Sequence, residues 1–308
     1  MDVSRPTQWH IAVGNLNLDI SLSLSRFPSK DDVVFASDSW IGVGGAATNY
    51  AIAVARMGHR VSLVARTGRE AVNLGILDKL RESGVDVEWV EVVDGEPMGV
   101  VVVLMVPGES VRTMITIRGA NAGLRGEMIP FKAGDHLHLS SVRYWIVEEV
   151  AGRVEGRSIS YDPGGEAIRD PKEVRRVSSL VDVVFLNSRE LEALTGGSSI
   201  DDARSMIKGN LKMILVKQGM GGAFLVTRNE SIVVDPPRGI RVVDVTGAGD
   251  AFDAAFNIWF NASAPLEEAL RAAVAAGAAK VCRRGSSNMP TLGEVYNYLE
   301  LVPMPQRL

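Results

Sequence analysis

One nine-residue stretch near the C-terminal end constrains this chain more than any other: Asp244-Val245-Thr246-Gly247-Ala248-Gly249-Asp250-Ala251-Phe252. A β-branched run at residues 240–243 leads into it and predicts a strand end. After the small-residue turn, apolar Ala251, Phe252, Ala255, Phe256 and Trp259 recur at helical spacing. Strand, glycine turn and helix in that order aim backbone N–H groups at an anion, and the helix dipole adds to the attraction. Gly247 and Gly249 lack the side chains that would hold a charged group off those amides. Asp250 would repel such an anion. It makes sense there if it takes a proton from a hydroxyl that is about to attack the anion. The other reading is an N-terminal cap on a tight turn.

With 308 residues, 46% hydrophobic and 23% charged, the chain can bury one large core, and residues 1–308 read as a single domain. A net charge of -4 with no basic block leaves nucleic acid out of the expected partners. The longest apolar run, residues 100–106, is too short to span a bilayer, so no membrane partner is expected. Residues 1–8 are polar, which argues against a secretion signal. The one cysteine, Cys282, cannot form an internal disulfide, which fits a cytoplasmic location; it reads as a core filler in a small-residue helix.

A short strand at residues 11–13 ends at Gly14 and leads to Asn17 and Asp19. Polar groups at a strand's C-terminal end suit hydroxyl recognition in open α/β sheets, although turn chemistry gives the same residues. Residues 32–40 read as strand and run into Gly42-Val43-Gly44-Gly45-Ala46-Ala47-Thr48-Asn49, then a helix over 46–57 closed by Gly58. Gly42, Gly44 and Ala47 fit a dinucleotide fingerprint. They do not follow the first strand, and the next strand closes on Arg66 rather than an acid, so a nicotinamide reading is set aside. A helix is predicted over 73–83. Three β-like runs follow, 86–93, 98–106 and 111–117, separated by the turn clusters Asp94-Gly95-Glu96-Pro97 and Pro107-Gly108-Glu109. With residues 20–24 and 32–39 they are expected to form a small sheet, about 15–42 and 86–119. One face of it would be open to solvent, a partner subunit or a substrate. It serves either as a lid or as a dimer interface.

From residue 134 strands and helices alternate, which predicts a doubly wound, mostly parallel α/β sheet with helices on both faces. Asn187 and Glu190 follow a strand and share a helical face. Such a pair can hold a hydrated magnesium ion, or form a capping box. The turn Gln218-Gly219-Met220-Gly221-Gly222 follows Lys217. His10, His59, His136 and His138 lack metal-ligand spacing and are read as packing residues.

Taken together, these segments resemble the ribokinase-like (PfkB) carbohydrate kinases. Gly44-Gly45-Ala46-Ala47-Thr48-Asn49, with Gly58 and Gly68, is similar to the family's N-terminal signature, and the stretch from Asp244 to Asp250 to its C-terminal one. Asn187-Ser188-Arg189-Glu190 resembles its N-x-x-E, Lys217 to Gly222 its nucleotide turn, and Gly119-Ala120-Asn121-Ala122 and Asn17-Leu18-Asp19 two further segments. The resemblance implies ATP-dependent phosphoryl transfer to a hydroxyl of a sugar, sugar acid, polyol or nucleoside. It implies Asp250 as catalytic base and the amides of Gly247, Ala248 and Gly249 as anion hole. Asn17, Asp19, Gly44, Gly45 and Asn49 would grip the substrate. Asn187, Lys217, Gly219 and Gly222 would bind the nucleotide, and Glu190 with Asn187 would hold Mg2+ through water. Asp244 would sit at a site for a monovalent cation, K+, and the lid would carry a homodimer. Three departures bear on the acceptor: Lys217 where threonine is common, no acid in Leu137-His138-Leu139-Ser140-Ser141, and no Asp after Gly68. Arg118 reads either as a carboxylate reader or as a solvated strand residue. The rival readings are a nucleoside kinase and a non-catalytic sugar-binding regulator on the same scaffold.

Overall fold

The strands of the computed structural model, which describes residues 3, 9–106, 112–130, 136–153 and 158–308, fall into two sheets. In chain order they are β1 His10–Gly14, β2 Asn17–Leu24, β3 Ala36–Gly44, β4 Val61–Gly68, β5 Val90–Val93, β6 Gly99–Met105, β7 Arg112–Ile117, β8 His136–Ser140, β9 Ser158–Asp162, β10 Val183–Asn187, β11 Met213–Lys217, β12 Ala223–Thr227, β13 Ser231–Val234 and β14 Gln306–Arg307. The large sheet has the order β14-β13-β12-β11-β10-β9-β8-β1-β4-β5. It is parallel from β5 to β11 and antiparallel from β11 to β14.

Period-two alternation in these strands makes two cores. Val183 and Phe185 of β10 join Leu215 of β11 against helices Ala46–Arg56, Ala248–Asn261 and Leu266–Val281. Val184 and Leu186 join Ile214 and Val216 on the opposite face, against Tyr144–Ala151, Pro171–Val177 and Ser188–Thr195. Apolar residues at every position, as in Met213-Ile214-Leu215-Val216, are what a strand covered on both faces requires.

The small sheet has the order β3-β2-β6-β7. Its central pair, β2 and β6, is parallel, and both outer pairings are antiparallel. Alternation along β2 buries Asn17, Asp19 and Ser21 on one face. The other face carries the cross-strand row Ile41, Ile20, Val102 and Ile115.

Several local expectations are corrected. Residues 240–243 form no strand: the Val243 and Asp244 N–H groups both bond the Val281 carbonyl at 2.7 and 3.1 Å, so the segment is tied to a helix end rather than a sheet. Residues 86–93 do not join the small sheet. Val90–Val93 pairs in parallel with β4 at the edge of the large one, because the helices between β4 and β5 make a crossover. The helix expected over 73–83 is two, Glu70–Asn73 and Ile76–Glu82, broken at Gly75 with φ 65°. The strand expected at 32–40 lies at Ala36–Gly44. The turn Pro107-Gly108-Glu109 lies outside the described residues.

Phe185 is fully buried, and its ring packs edge-on against Phe256 and Phe252 at centroid distances of 5.7 and 6.4 Å. It therefore locks the large sheet to the helix that carries Asp250. Phe185→Ala is expected to cost about 3–5 kcal/mol, read as a lowered midpoint in urea unfolding.

Candidate active site

Helix Ala248–Asn261 starts at Gly247, whose φ of 82° serves as a left-handed cap. A Cβ there would collide with the Ser286 carbonyl, so only glycine fits. The first amides of a helix have no intrahelical acceptor and face outward. Of the three expected anion-hole amides, that of Ala248 points to the Val245 carbonyl at 3.3 Å, a long bond.

Asp250 lies half-buried in the first turn of this helix. Its Oδ2 accepts a hydrogen bond of 2.8 Å from Asn49 Nδ2. Asn49 sits one turn into helix Ala46–Arg56, which Gly45 caps at φ 99°. Asn49 Oδ1 is buried and has no partner among the described residues. Burial pushes the Asp250 carboxyl up to about 7. The Asn49 bond opposes the shift, Asp162 adds to it, and Lys217 opposes it again.

The buried face of the small sheet comes to the same place. Asp19 Oδ2 accepts from Ser286 Oγ at 2.7 Å, while Asp19 Oδ1 is buried without a partner among the described residues. Burial raises the Asp19 carboxyl to about 6; the Ser286 bond opposes this and Asp244 adds to it. Asn17 Oδ1 accepts from Asn121 Nδ2 at 2.9 Å. Gly44 lies opposite Asn17, and a Cβ there would collide with the Asp19 carboxylate. Asn17, Asp19, Gly44, Gly45 and Asn49 thus line one wall, and Asn49 ties it to Asp250.

The nucleotide-side residues are placed differently from each other. Asn187 and Glu190 form a full capping box, with Asn187 N–H donating to Glu190 Oε2 at 2.8 Å and Glu190 N–H to Asn187 Oδ1 at 3.0 Å. Burial, then Asp162, lifts Glu190 to about 7, opposed by Lys217 and Asn187. The box uses Oε2, so Oε1 is the oxygen left for a hydrated cation. An ion that keeps most of its waters fits this sparse donor set. Gly219 has φ 58° with open space around it, whereas Gly222 is fixed by the Val234 carbonyl of β13.

Lys217, expected on the nucleotide side, is ion-paired. Its Nζ donates to Asp162 Oδ2 at 2.7 Å and to Asp253 Oδ1 at 3.0 Å, directly below Gly249. Asp162 and Asp253 were not picked out in the sequence. The available signals were the strand-end position of Asp162 and the i+3 spacing of Asp253 from Asp250. Arg118 and Arg143 both pair with the buried Glu166, so Arg118 is neither free nor merely solvated.

The four histidines are packing residues, as expected, but they are not scattered. His10, His136 and His138 meet around Tyr50 and Ser160: His10 Nδ1 lies 2.9 Å from the Tyr50 hydroxyl, and Ser160 Oγ bonds both His136 and His138. Tyr50 stacks on His138 at 3.9 Å.

Asp244, the residue expected at a monovalent-cation site, is held by two backbone amides. Its Oδ1 accepts from Thr246 N–H and its Oδ2 from Gly285 N–H, both at 2.9 Å. The carboxylate therefore closes the anion turn, and the backbone atoms aimed at it are donors.

A doubly wound α/β body whose helix N-terminus faces a polar β-sheet wall across a raised carboxylate defines a small-molecule kinase. The chain belongs to the pfkB family of carbohydrate kinases, whose family description matches residues 10–292. An ATP-dependent ribose-1-phosphate kinase of Halopiger xanaduensis is 29% identical, over 94% of this chain and 97% of that protein. A structure of Arabidopsis thaliana ribokinase complexed with ribose and ATP is 26% identical at a TM-score of 0.83, covering 96% of this chain and 99% of that one. A nucleoside kinase of Methanocaldococcus jannaschii shares the fold at a TM-score of 0.84 and 20% identity, covering 96% and 99%. No helix among the described residues is long and apolar enough to cross a membrane.

Asp253 is completely buried, and Lys217 supplies its counter-charge. Lys217→Met is expected to destabilise the fold by about 3–5 kcal/mol, because it strands two buried carboxylates. In Lys217→Met/Asp253→Asn, part of that loss should return. Thermal unfolding of the single and double variants measures both.

Proposed function

We propose that this kinase transfers the γ-phosphoryl group of ATP to a hydroxyl of a sugar or sugar-like small molecule, with Asp250 as the general base. The observation that carries the reading is the Asn49–Asp250 hydrogen bond, which joins the polar wall to the glycine turn. Asp19, Asn17 and Asn49 orient the acceptor. Asn49 Oδ1 and Asp19 Oδ1, buried and unpartnered among the described residues, are the acceptors a sugar's hydroxyls would fill. Asp250, held near neutrality, takes the proton of the attacking hydroxyl. The helix N-terminus at Gly247 and Gly249 receives the charge on the moving phosphoryl group. Gly219 lets the nucleotide approach the backbone. Mg2+ bound with ATP, held through water by Glu190 and Asn187, would neutralise phosphate charge. No monovalent cation enters this reading.

In the same reading the chain is one domain, and the small sheet is a lid that excludes water when it closes over the acceptor. The free Cys282 suits the reducing cytoplasm. Two copies meet through the apolar row of the lid, where Ile41 and Ile115 are 63% and 53% exposed. Light scattering should give a dimer, and Ile20→Glu/Ile115→Glu should give a monomer. A monomeric wild type would remove the dimer from the reading.

A coupled ADP-release assay across ribose, deoxyribose, ribose 1-phosphate, hexoses, sugar acids, polyols and nucleosides tests the transfer. At least one acceptor should release ADP with wild type. Asp250→Asn should lower kcat by about 10²–10⁴-fold with nearly unchanged ATP binding. ADP release by Asp250→Asn at the wild-type rate would refute the base. The base works only when deprotonated, so kcat/KM should fall as pH drops through about 7. Asn49→Leu removes a bond that favours the charged carboxylate, and the acid limb should move to higher pH.

A further inference from the structure

Three consecutive residues of the body, Arg284, Gly285 and Ser286, each hold the small sheet. Arg284 pairs with Asp38 at 2.7 Å and donates to the Ser39 carbonyl at 3.1 Å. Ser286 Oγ lies 2.7 Å from Asp19 Oδ2 and 3.2 Å from the Val43 carbonyl. Between them, Gly285 lies against the Trp40 indole. Its φ is 87°, and a Cβ there would collide with the ring, as would one at Gly42. The indole is therefore seated between two glycines, one on its own strand and one on the body.

Trp40 opposes Ser21, as Gly42 opposes Asp19 and Gly44 opposes Asn17. Period two puts all of these on one face, so the half-buried indole stands at the outer end of the acceptor wall. On the other side, residues 285 and 286 grip the glycine turn. The Gly285 N–H donates to Asp244 Oδ2, whose Oδ1 accepts from Thr246 N–H, both at 2.9 Å. The Ser286 carbonyl packs on Gly247. Residues joined by successive planar peptides cannot shift one at a time. A displacement of the small sheet is thus carried to Asp244 and Gly247.

We propose that residues 284–286 transmit the position of the small sheet to the glycine turn, with Trp40 and Arg284 as positioning residues for phosphoryl transfer. When the sheet is seated, the indole holds Gly285, Gly285 holds Asp244, and the turn takes the shape that receives a phosphate. Trp40 and Arg284 act through this contiguous chain of contacts rather than on the reacting atoms. The coupling is reciprocal: whatever binds at the turn favours the seated sheet. The proposal rests on phosphoryl transfer at this site, but most of its test needs no acceptor.

The experiment follows amide hydrogen exchange in residues 36–44 and 244–249, with and without Mg–AMP-PNP, in wild type, Trp40→Ala, Trp40→Phe and Arg284→Ala. In wild type the analogue should slow exchange in both segments. In Trp40→Ala and Arg284→Ala the protection of 36–44 should be lost, and AMP-PNP affinity should fall by at least about fivefold. Trp40→Phe keeps a flat ring against Gly285 and should recover most of both. For the best acceptor of the ADP-release screen, kcat of Trp40→Ala should drop by about 10–100-fold, as a reacting group misplaced by about 1 Å would cause. A merely structural tryptophan would lower the unfolding midpoint and leave the nucleotide-induced protection in place. A folded Trp40→Ala with wild-type AMP-PNP affinity and wild-type protection of 36–44 overturns the proposal. If Trp40→Ala does not fold, Arg284→Ala decides, since it trims a half-exposed side chain. If wild type binds no AMP-PNP, the kinase reading fails. Exchange of 244–249 in the ligand-free variants then still decides the loop: faster by at least about fivefold if it transmits, unchanged if it does not.

Discussion

One ammonium, that of Lys217, stands between Asp162 and Asp253 at the point where three elements converge. Asp162 ends β9, Lys217 ends β11, and Asp253 projects from the helix that carries Asp250. That charge offsets the burial of a carboxyl one turn from Asp250. With it, the helix N-terminus is pinned over the C-terminal ends of the parallel strands, where α/β sheets bind ligands. The glycine turn, Asp250 and the sheet edge are therefore placed by one electrostatic knot rather than by three independent contacts.

The second wall comes from strand geometry. Period two puts Asn17 and Asp19 on the same face of β2, and glycine at positions 44 and 99 leaves room for their side chains. The helix that starts at Gly45 then brings Asn49 across to Asp250. Each element is anchored in a different part of the chain. A hydrogen bond spanning 201 residues of sequence couples Asn49 to Asp250, and Ser286 ties Asp19 and the Val43 carbonyl to the far side of the turn.

Much of this was legible because the motifs carry their own local physics. The helix that starts at residue 46, the glycine turn before Asp250, the box at Asn187 and Glu190, and the unbroken apolar strands follow from residue type and spacing alone. The edge strand β5 was misplaced because its pairing depends on the crossover from β4 rather than on its own residues. The supposed strand before Asp244 failed because Val242 and Val243 are β-branched yet half exposed and tied to a helix end. Asp162, Asp253 and Ser286 were missed for a common reason. Each matters only through partners far away in sequence, and an isolated polar residue looks like a surface position until its neighbours are known.

Beneath the site, buried groups titrate in opposite senses. Burial lowers all four histidines, His136 and His138 to about 3. Such groups favour the folded state above their unfolded pKa, and that advantage is lost as pH falls towards 3. Burial also raises Asp19, Glu190, Asp250 and Asp253. These favour folding most below the ordinary carboxylate range, and for Asp19, Glu190 and Asp250 that contribution is lost as pH rises through about 6 to 7. On mild acidification the folded chain therefore gains protons on its carboxyls that it forgoes on its histidines. The offset lets the fold tolerate carboxyl groups near neutrality, and for Asp250 a pKa near 7 has a chemical use. In the proposed reaction that proton is held while a polyanion enters and is gone before the hydroxyl attacks, which would reconcile an acid with an anion cradle.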